Sequence, residues 1–229
     1  MNKYLAVFLI LWTLGNVHGE DCVPREYGEG KIVCVCNATY CDTLPSEFNV
    51  PDGGFLAYHS SKDGHRFHDI GGSFQESYQD DEVDTVFTVN RENTYQTMFG
   101  FGGAMTDAAG INIASLSESA QENVLRSYFA PEGSQYNMIR VPVGGSDFST
   151  RAYSYDDVEG DDTLQNFALA EEDTKYKIPY IKRAIELNPR NILLFGAPWS
   201  SPKWMKTNNE FNGKGQLKEE YYQLWADYF

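Results

Sequence analysis

Apolar and polar positions change their rhythm near residue 99. Ahead of that point, apolar residues between 55 and 70 cluster on either side of Asp63-Gly64, a pair whose backbone suits the tight turn of a β-hairpin. A β-branched run at 85–89 follows the acidic loop 80–84 and predicts a further strand. Together these read as strands of a small accessory β-sandwich. Beyond residue 99 the pattern becomes strand then helix. Phe99-Gly100-Phe101-Gly102-Gly103-Ala104-Met105-Thr106-Asp107-Ala108-Ala109 reads as a strand running into a helix. Its glycines allow a sharp turn and close approach, and Asp107 suits the free N–H groups of a first helical turn. Met105 stands where a dinucleotide-binding loop needs its third glycine, which argues against that reading.

Ser117 is placed as an N-cap for a helix in which Ala120, Val124, Leu125, Tyr128 and Phe129 recur on one face, and Gly133 is expected to close it. Residues 138–143 form the next short apolar run and open into the loop Gly144-Gly145-Ser146-Asp147-Phe148. An acidic insertion at 156–173 reads as a solvated face. Ile178, Ile181 and Ile185 mark another helix, with Pro179 tolerable in its first turn. Asn191-Ile192-Leu193-Leu194-Phe195 is a continuous apolar run, as expected of a parallel strand buried on both faces. It leads into Pro198-Trp199-Ser200-Ser201-Pro202-Lys203-Trp204, and a further helix begins near Lys218. The fold class predicted is α/β: about the first three β/α units of a parallel barrel, preceded by β-rich segments.

The amino terminus adds a compartment. Lys3, the apolar run 5–14 and the small residues before Glu20 have the layout of a secretory signal, with cleavage expected near Gly19. All four cysteines, Cys22, Cys34, Cys36 and Cys41, follow closely, so an oxidising lumen predicts two disulfides. Cys34 and Cys36 are poorly placed to bridge each other, and nested and consecutive pairings both stay open. Asn37-Ala38-Thr39 is a glycosylation acceptor and implies an exposed loop. The domains expected are therefore a signal at 1–19, a disulfide-bonded β segment at 20–47, sandwich strands at 48–96 and the barrel from 97 to 229.

A net charge of −15 argues against nucleic acid as a partner, since phosphate contacts need clustered Lys and Arg. The same charge would shrink in an acidic compartment as carboxylates take up protons. No metal or cofactor is called for. The cysteines lack paired Cys-x-x-Cys knuckles, and His59, His65 and His68 have no acidic or cysteine partner at ligand spacing. In a parallel barrel the working residues stand at the carboxyl ends of strands. There the sequence offers Asp107, Arg140, Asp147, Phe148, Trp199 and Trp204. These types suit a sugar: a carboxylate accepts from adjacent hydroxyls, Arg orients polar partners, and an indole offers a flat apolar wall with one N–H donor. For each, a bland role competes: a turn cap for Asp147, a buried ion pair for Arg140, core packing for Trp204.

Cys34-Val35-Cys36-Asn37-Ala38-Thr39-Tyr40-Cys41, the stretch from Phe99 to Ala109, residues 136–149 and Pro198-Trp199 with Ser201-Pro202 resemble the amino-terminal half of the glucosylceramidases of glycoside hydrolase family 30. The resemblance covers nearly everything after the signal. It implies a (β/α)8 barrel interrupted by β-rich accessory domains, hydrolysis of glucosylceramide or another β-glucoside with retention, and a lysosomal or secreted location. A saposin-type activator and an anionic lipid surface are its implied partners. It also implies the pairings Cys22 to Cys34 and Cys36 to Cys41. By the same resemblance Asp147 and Trp199 would hydrogen-bond glucose hydroxyls, Arg140 would brace the catalytic glutamates, and Phe148 would line the site.

Retaining glycosidases need two carboxylates about 5 to 5.5 Å apart, an acid/base and a nucleophile. The resemblance places both on later strands, the first in an Asn-Glu-Pro motif, and no Asn-Glu-Pro occurs in this sequence. Glu210, Glu219 and Glu220 fall in a loop and at a helix start instead. The expectation is a glucosylceramidase fragment without its catalytic pair, inactive alone. The competing expectation is a secreted, non-catalytic product that binds a glucoside or a protein.

Overall fold

The computed structural model describes residues 24–26, 28–30, 32–41, 43, 50–62, 68–75 and 85–229. The expected signal, Cys22 and the Asp63-Gly64 turn with His65 lie outside the described residues. Two antiparallel pairs come first: β1 (Pro24–Glu26) with β2 (Ile32–Cys34), and β3 (Gly54–His59) with β4 (His68–Ser73), where His59 faces His68. They belong to two separate two-stranded sheets. The strand expected at 85–89 does not form, and Val86, Phe87 and Val89 stand 60%, 87% and 85% exposed. β-branched composition suits a pleated, half-buried surface, and among the described residues no strand edge pairs with this run. Among the described residues, the strands ahead of the parallel sheet form two-stranded pairs alone.

Between β2 and β3 a disulfide joins Cys36 to Cys41, with Cα atoms 4.1 Å apart. The enclosed Asn37 is exposed, and its side-chain oxygen accepts from the Thr39 N–H, the Thr39 hydroxyl and the Tyr40 N–H. The Asn123 side chain donates to the Asn37 carbonyl at 2.7 Å and ties this loop to the helical layer. The Cys22 to Cys34 pairing lies outside the described residues.

The larger part is a parallel sheet in the order β5 (Gly102–Ala104), β6 (Met138–Val143), β7 (Leu193–Pro198). Helices α1 (Asp107–Ala114), α2 (Glu118–Phe129) and α3 (Ile178–Leu187) connect the strands. A short α4 (Tyr222–Asp227) follows β7 after a 3₁₀ turn at Glu219–Tyr221. Two glycines in the first strand region are required by its path. Gly100 has φ +140°, and a Cβ on Gly102 would lie 1.7 Å from the Met138 carbonyl oxygen.

Thr106 caps α1, its hydroxyl accepting from the Ala109 N–H at 3.1 Å. Helix α2 ends at Phe129, short of Gly133. Ala130 turns extended (φ −75°, ψ 164°) because Pro131 disfavours helical backbone in the residue before it. The α2 and α3 stripes meet the sheet through Leu125, Phe129, Ile181 and Ala184, which pack with Met105 and Ile139 in the core. The Leu, Ile, Phe and Met side chains among them contribute about 1.5–3 kcal/mol each on burial. A second, aromatic cluster gathers Tyr153, Tyr155 and Tyr228, with Val143 and Trp225 against it.

Two expectations about burial are corrected. Strand β7 is not covered on both faces: Leu193, Leu194 and Phe195 remain 45%, 50% and 47% exposed. It pairs with β6 on one side, and no strand among the described residues pairs with its other edge. The acidic insertion is not simply a solvated face, because Asp156, Glu172 and Asp173 are buried. Glu172 and Asp173 belong to a π-helical turn, Glu172–Lys177, that leads directly into α3. Among the described residues no helix is long and apolar enough to cross a membrane.

Candidate functional site

The sheet sets two faces. On β6, Ile139 turns to the helices and is buried in the core, so the alternate residue Arg140 projects from the opposite face. Arg140 is mid-strand, in register with Ala104 on β5 and Phe195 on β7. Its guanidinium reaches towards the carboxyl end of β7 and lies 4.3 Å from the centre of the Trp199 ring. That is cation–π range, with Trp the best partner. Arg140 makes no ion pair among the described residues, so the buried-pair reading does not hold. Trp199 directly follows β7 and is 41% exposed, leaving much of the indole available.

The loop after β6 starts at Gly144 and carries Asp147 and Phe148, both exposed. Its backbone is held at several points. The Gly145 N–H donates to the Tyr153 carbonyl at 2.9 Å, and the Ala108 N–H in the first turn of α1 donates to the Phe148 carbonyl at 2.9 Å. Ser146 and Ser149 close the turn around Asp147. The Ser146 N–H donates to the Ser149 hydroxyl, and the Phe148 N–H to the Ser146 hydroxyl. The Asp147 carboxylate itself makes no hydrogen bond or ion pair with the described residues. It does not cap its own turn; that role falls to the two serines.

Beneath this loop lies a buried ionic cluster that sequence reasoning missed. Lys177 and Asp107 are each 0% exposed and meet at 3.0 Å, and Lys177 also meets Asp173 at 2.8 Å. The ammonium donates further to the Pro142 carbonyl on β6 and to the Tyr153 hydroxyl. Asp107 accepts from the Ser149 hydroxyl at 2.6 Å and the Tyr153 hydroxyl at 3.0 Å, and Asp173 accepts from Tyr155 at 2.6 Å. Burial, with the charge of Asp107 next, pushes the Tyr153 hydroxyl far above the ordinary phenol range. Burial and the bond to Asp173 do the same to Tyr155. Both phenols therefore stay donors at any working pH. One signal for the cluster was present in the sequence: Asp173 and Lys177 stand at i, i+4, the spacing at which side chains meet on a helical face.

Two of the six candidates are therefore structural. Asp107 is enclosed in the ionic cluster, away from solvent. Trp204 is 3% exposed and donates its indole N–H to the Asp156 carbonyl at 2.9 Å. Arg140, Asp147, Phe148 and Trp199 remain open at or near the carboxyl ends of β6 and β7. Chemically this is a recognition surface: one free carboxylate, one cation stacked on an indole, and two aromatic faces. Glu210, Glu219 and Glu220 are exposed, in the loop after β7 and in the following 3₁₀ turn.

Comparison with known proteins gives a consistent picture. The glycosyl hydrolase family 30 TIM-barrel domain matches residues 98–229. Lysosomal acid glucosylceramidase of Mus musculus is 43% identical over 224 residues, 96% of this chain and 42% of the mouse protein. Putative glucosylceramidase 3 of Caenorhabditis elegans is 44% identical over 237 residues, 100% of this chain and 45% of that protein. The crystal structure of SrfJ from Salmonella typhimurium superimposes with a TM-score of 0.68 at 34% identity, covering 76% of this chain and 38% of that one. This chain thus spans less than half the length of the curated relatives it matches.

Proposed function

The chain belongs to glycosyl hydrolase family 30, and from that membership we propose that it forms the glucose-recognising part of a retaining, glucosylceramidase-type β-glucosidase. The observation that carries this reading is the open set at the strand ends, with Asp147 unpartnered and Arg140 stacked on Trp199 at 4.3 Å. Asp147 accepts from two neighbouring sugar hydroxyls, and the Trp199 ring and N–H hold the sugar's apolar face and a further hydroxyl. Phe148 lines the site. The guanidinium of Arg140, in no ion pair with the described residues, faces the barrel interior and braces the carboxylates of catalysis, which lie outside this sequence. Three β/α units are then the first part of the family's eight-stranded barrel, and the residues described here bind and orient without breaking the glycosidic bond.

Glucosylceramide is the substrate favoured by the names of the relatives, with the lysosomal lumen as the site of action and entry through the signal at 1–19. A saposin-type activator and an anionic lipid surface complete the proposal. A net charge of −15 repels an anionic surface at neutral pH and does so less in acid, as carboxylates protonate. The test is an assay of the 229-residue chain on a fluorogenic β-glucoside at acid pH. No turnover is expected. Turnover abolished by Asp147→Ala would show that the chain carries its own catalytic acids and would overturn the division of labour proposed here.

A further inference from the structure

The turn that presents Asp147 is held by a hydroxyl anchored, among the described residues, on a buried carboxylate in the fold interior. Ser149 donates to Asp107 Oδ2 at 2.6 Å, and the same hydroxyl accepts from the Ser146 N–H at 2.9 Å. Asp107 is held in its turn, its Oδ1 in an ion pair with Lys177 at 3.0 Å and its Oδ2 shared with the Tyr153 hydroxyl at 3.0 Å. Lys177 is fixed in turn by Asp173 and by the β6 backbone at Pro142. An unbroken run of contacts therefore leads from the strand and the π turn, through Asp107 and Ser149, to the residue before Asp147. On the other side of Asp147, the Phe148 carbonyl is held by the Ala108 N–H, one residue beyond Asp107 on α1.

Resting on the glucose reading above, we propose that Ser149 is a positioning residue for sugar binding, fixing the Asp147 carboxylate through its bond to Asp107. Ser149 touches no sugar. A hydroxyl is the group required, since it must donate to one side and accept from the other, which neither a carboxylate nor an ammonium can do. The bond to a carboxylate is also of the stronger, charge-assisted kind. Without it, Asp147 samples orientations in which its two oxygens no longer meet neighbouring hydroxyls together.

The experiment is titration of the 229-residue chain with methyl β-glucoside, read by tryptophan fluorescence and by calorimetry, in the parent, Ser149→Ala, Ser149→Thr, Asp147→Asn and the Ser149→Ala/Asp147→Asn double variant. Ser149→Ala is expected to weaken binding about tenfold or more, Ser149→Thr to restore most of it, and the double variant to bind no worse than Asp147→Asn alone. Strict additivity in the double variant, or unchanged binding by Ser149→Ala, overturns the proposal. If Ser149→Ala does not fold, Ser149→Cys keeps the size with a much weaker donor and takes its place, with the same expected direction. Failure of the parent to bind the glucoside overturns the glucose reading itself. Binding that ignores Ser149 overturns this inference and leaves the glucose reading standing.

Discussion

Replacing Lys177 by Met removes the cation that pairs with two buried carboxylates. The parent ammonium meets Asp107 at 3.0 Å and Asp173 at 2.8 Å, and the side chains concerned are 0%, 0% and 4% exposed. Met matches the length of the lysine stem, so the packing change is small and the electrostatic change dominates. Breaking a buried pair by removing one partner costs about 3–5 kcal/mol. Two stranded charges do not double that figure, because each carboxylate keeps other donors: Ser149 and Tyr153 on Asp107, Tyr155 and the Ala170 N–H on Asp173. The expected loss is therefore about 3–5 kcal/mol, a large share of the ~5–15 kcal/mol that a folded domain commands. With a urea dependence of about 2 kcal/mol per molar, the unfolding midpoint falls by about 2 M. Urea unfolding followed by tryptophan fluorescence at low micromolar protein measures it. Adding Asp173→Asn to Lys177→Met removes one stranded charge and recovers part of the loss. A Lys177→Met variant within ~1 kcal/mol of the parent would refute the reasoning, since a buried cation with two acid partners could not then be so nearly neutral to remove.

Asp156 gives the fold a pH dependence of defined sign. It is 1% exposed and neither carboxylate oxygen has a hydrogen-bond partner among the described residues. Burial, with the charge of Asp161 next, raises its pKa above the ordinary 3.8. Between that ordinary value and the raised one the folded state keeps a proton that the unfolded chain has released. Stability therefore falls as pH rises through the window and levels off above it. Asp156→Asn removes this slope and is more stable than the parent at pH 7, as urea midpoints taken from pH 4 to 7 will show; an unchanged slope refutes the assignment. In the core, Leu125→Ala is expected to cost about 2–5 kcal/mol, because Leu125 is 3% exposed among Phe129, Ile139 and Ile181, and calorimetric unfolding will measure it.

The barrel part was legible because its signals are local and mutually consistent. The strand–helix alternation after residue 99, the β6 run at Met138–Val143 and the helical stripe through Leu125 and Phe129 all follow from side-chain period. The pairing of β3 with β4 was readable from a different signal, the apolar clusters on either side of Asp63-Gly64. The missing strand at 85–89 was not, because pairing depends on a neighbouring edge that no local pattern encodes. Charge misled in a similar way. Asp156, Glu172 and Asp173 look like part of an acidic surface until Lys177, Arg151 and the aromatic cluster are brought onto them by the fold. Of the candidate site, Arg140, Asp147, Phe148 and Trp199 could be picked by placing them near strand ends. Asp107 and Trp204 carry the same residue chemistry and sit as near those ends, and burial alone separates them from the open set.

The proposed glucose site depends on a sugar held against Trp199 and Asp147. A nitrogen-15 correlation spectrum of the chain resolves the indole N–H groups of its four tryptophans separately from the backbone. Titration with methyl β-glucoside is expected to move the Trp199 indole signal and the backbone signals of Asp147 and Phe148, and to leave Trp204, enclosed at 3% exposure, in place. A spectrum in which Trp199 stays fixed at saturating glucoside, or in which the shifts gather elsewhere on the chain, would contradict the claim.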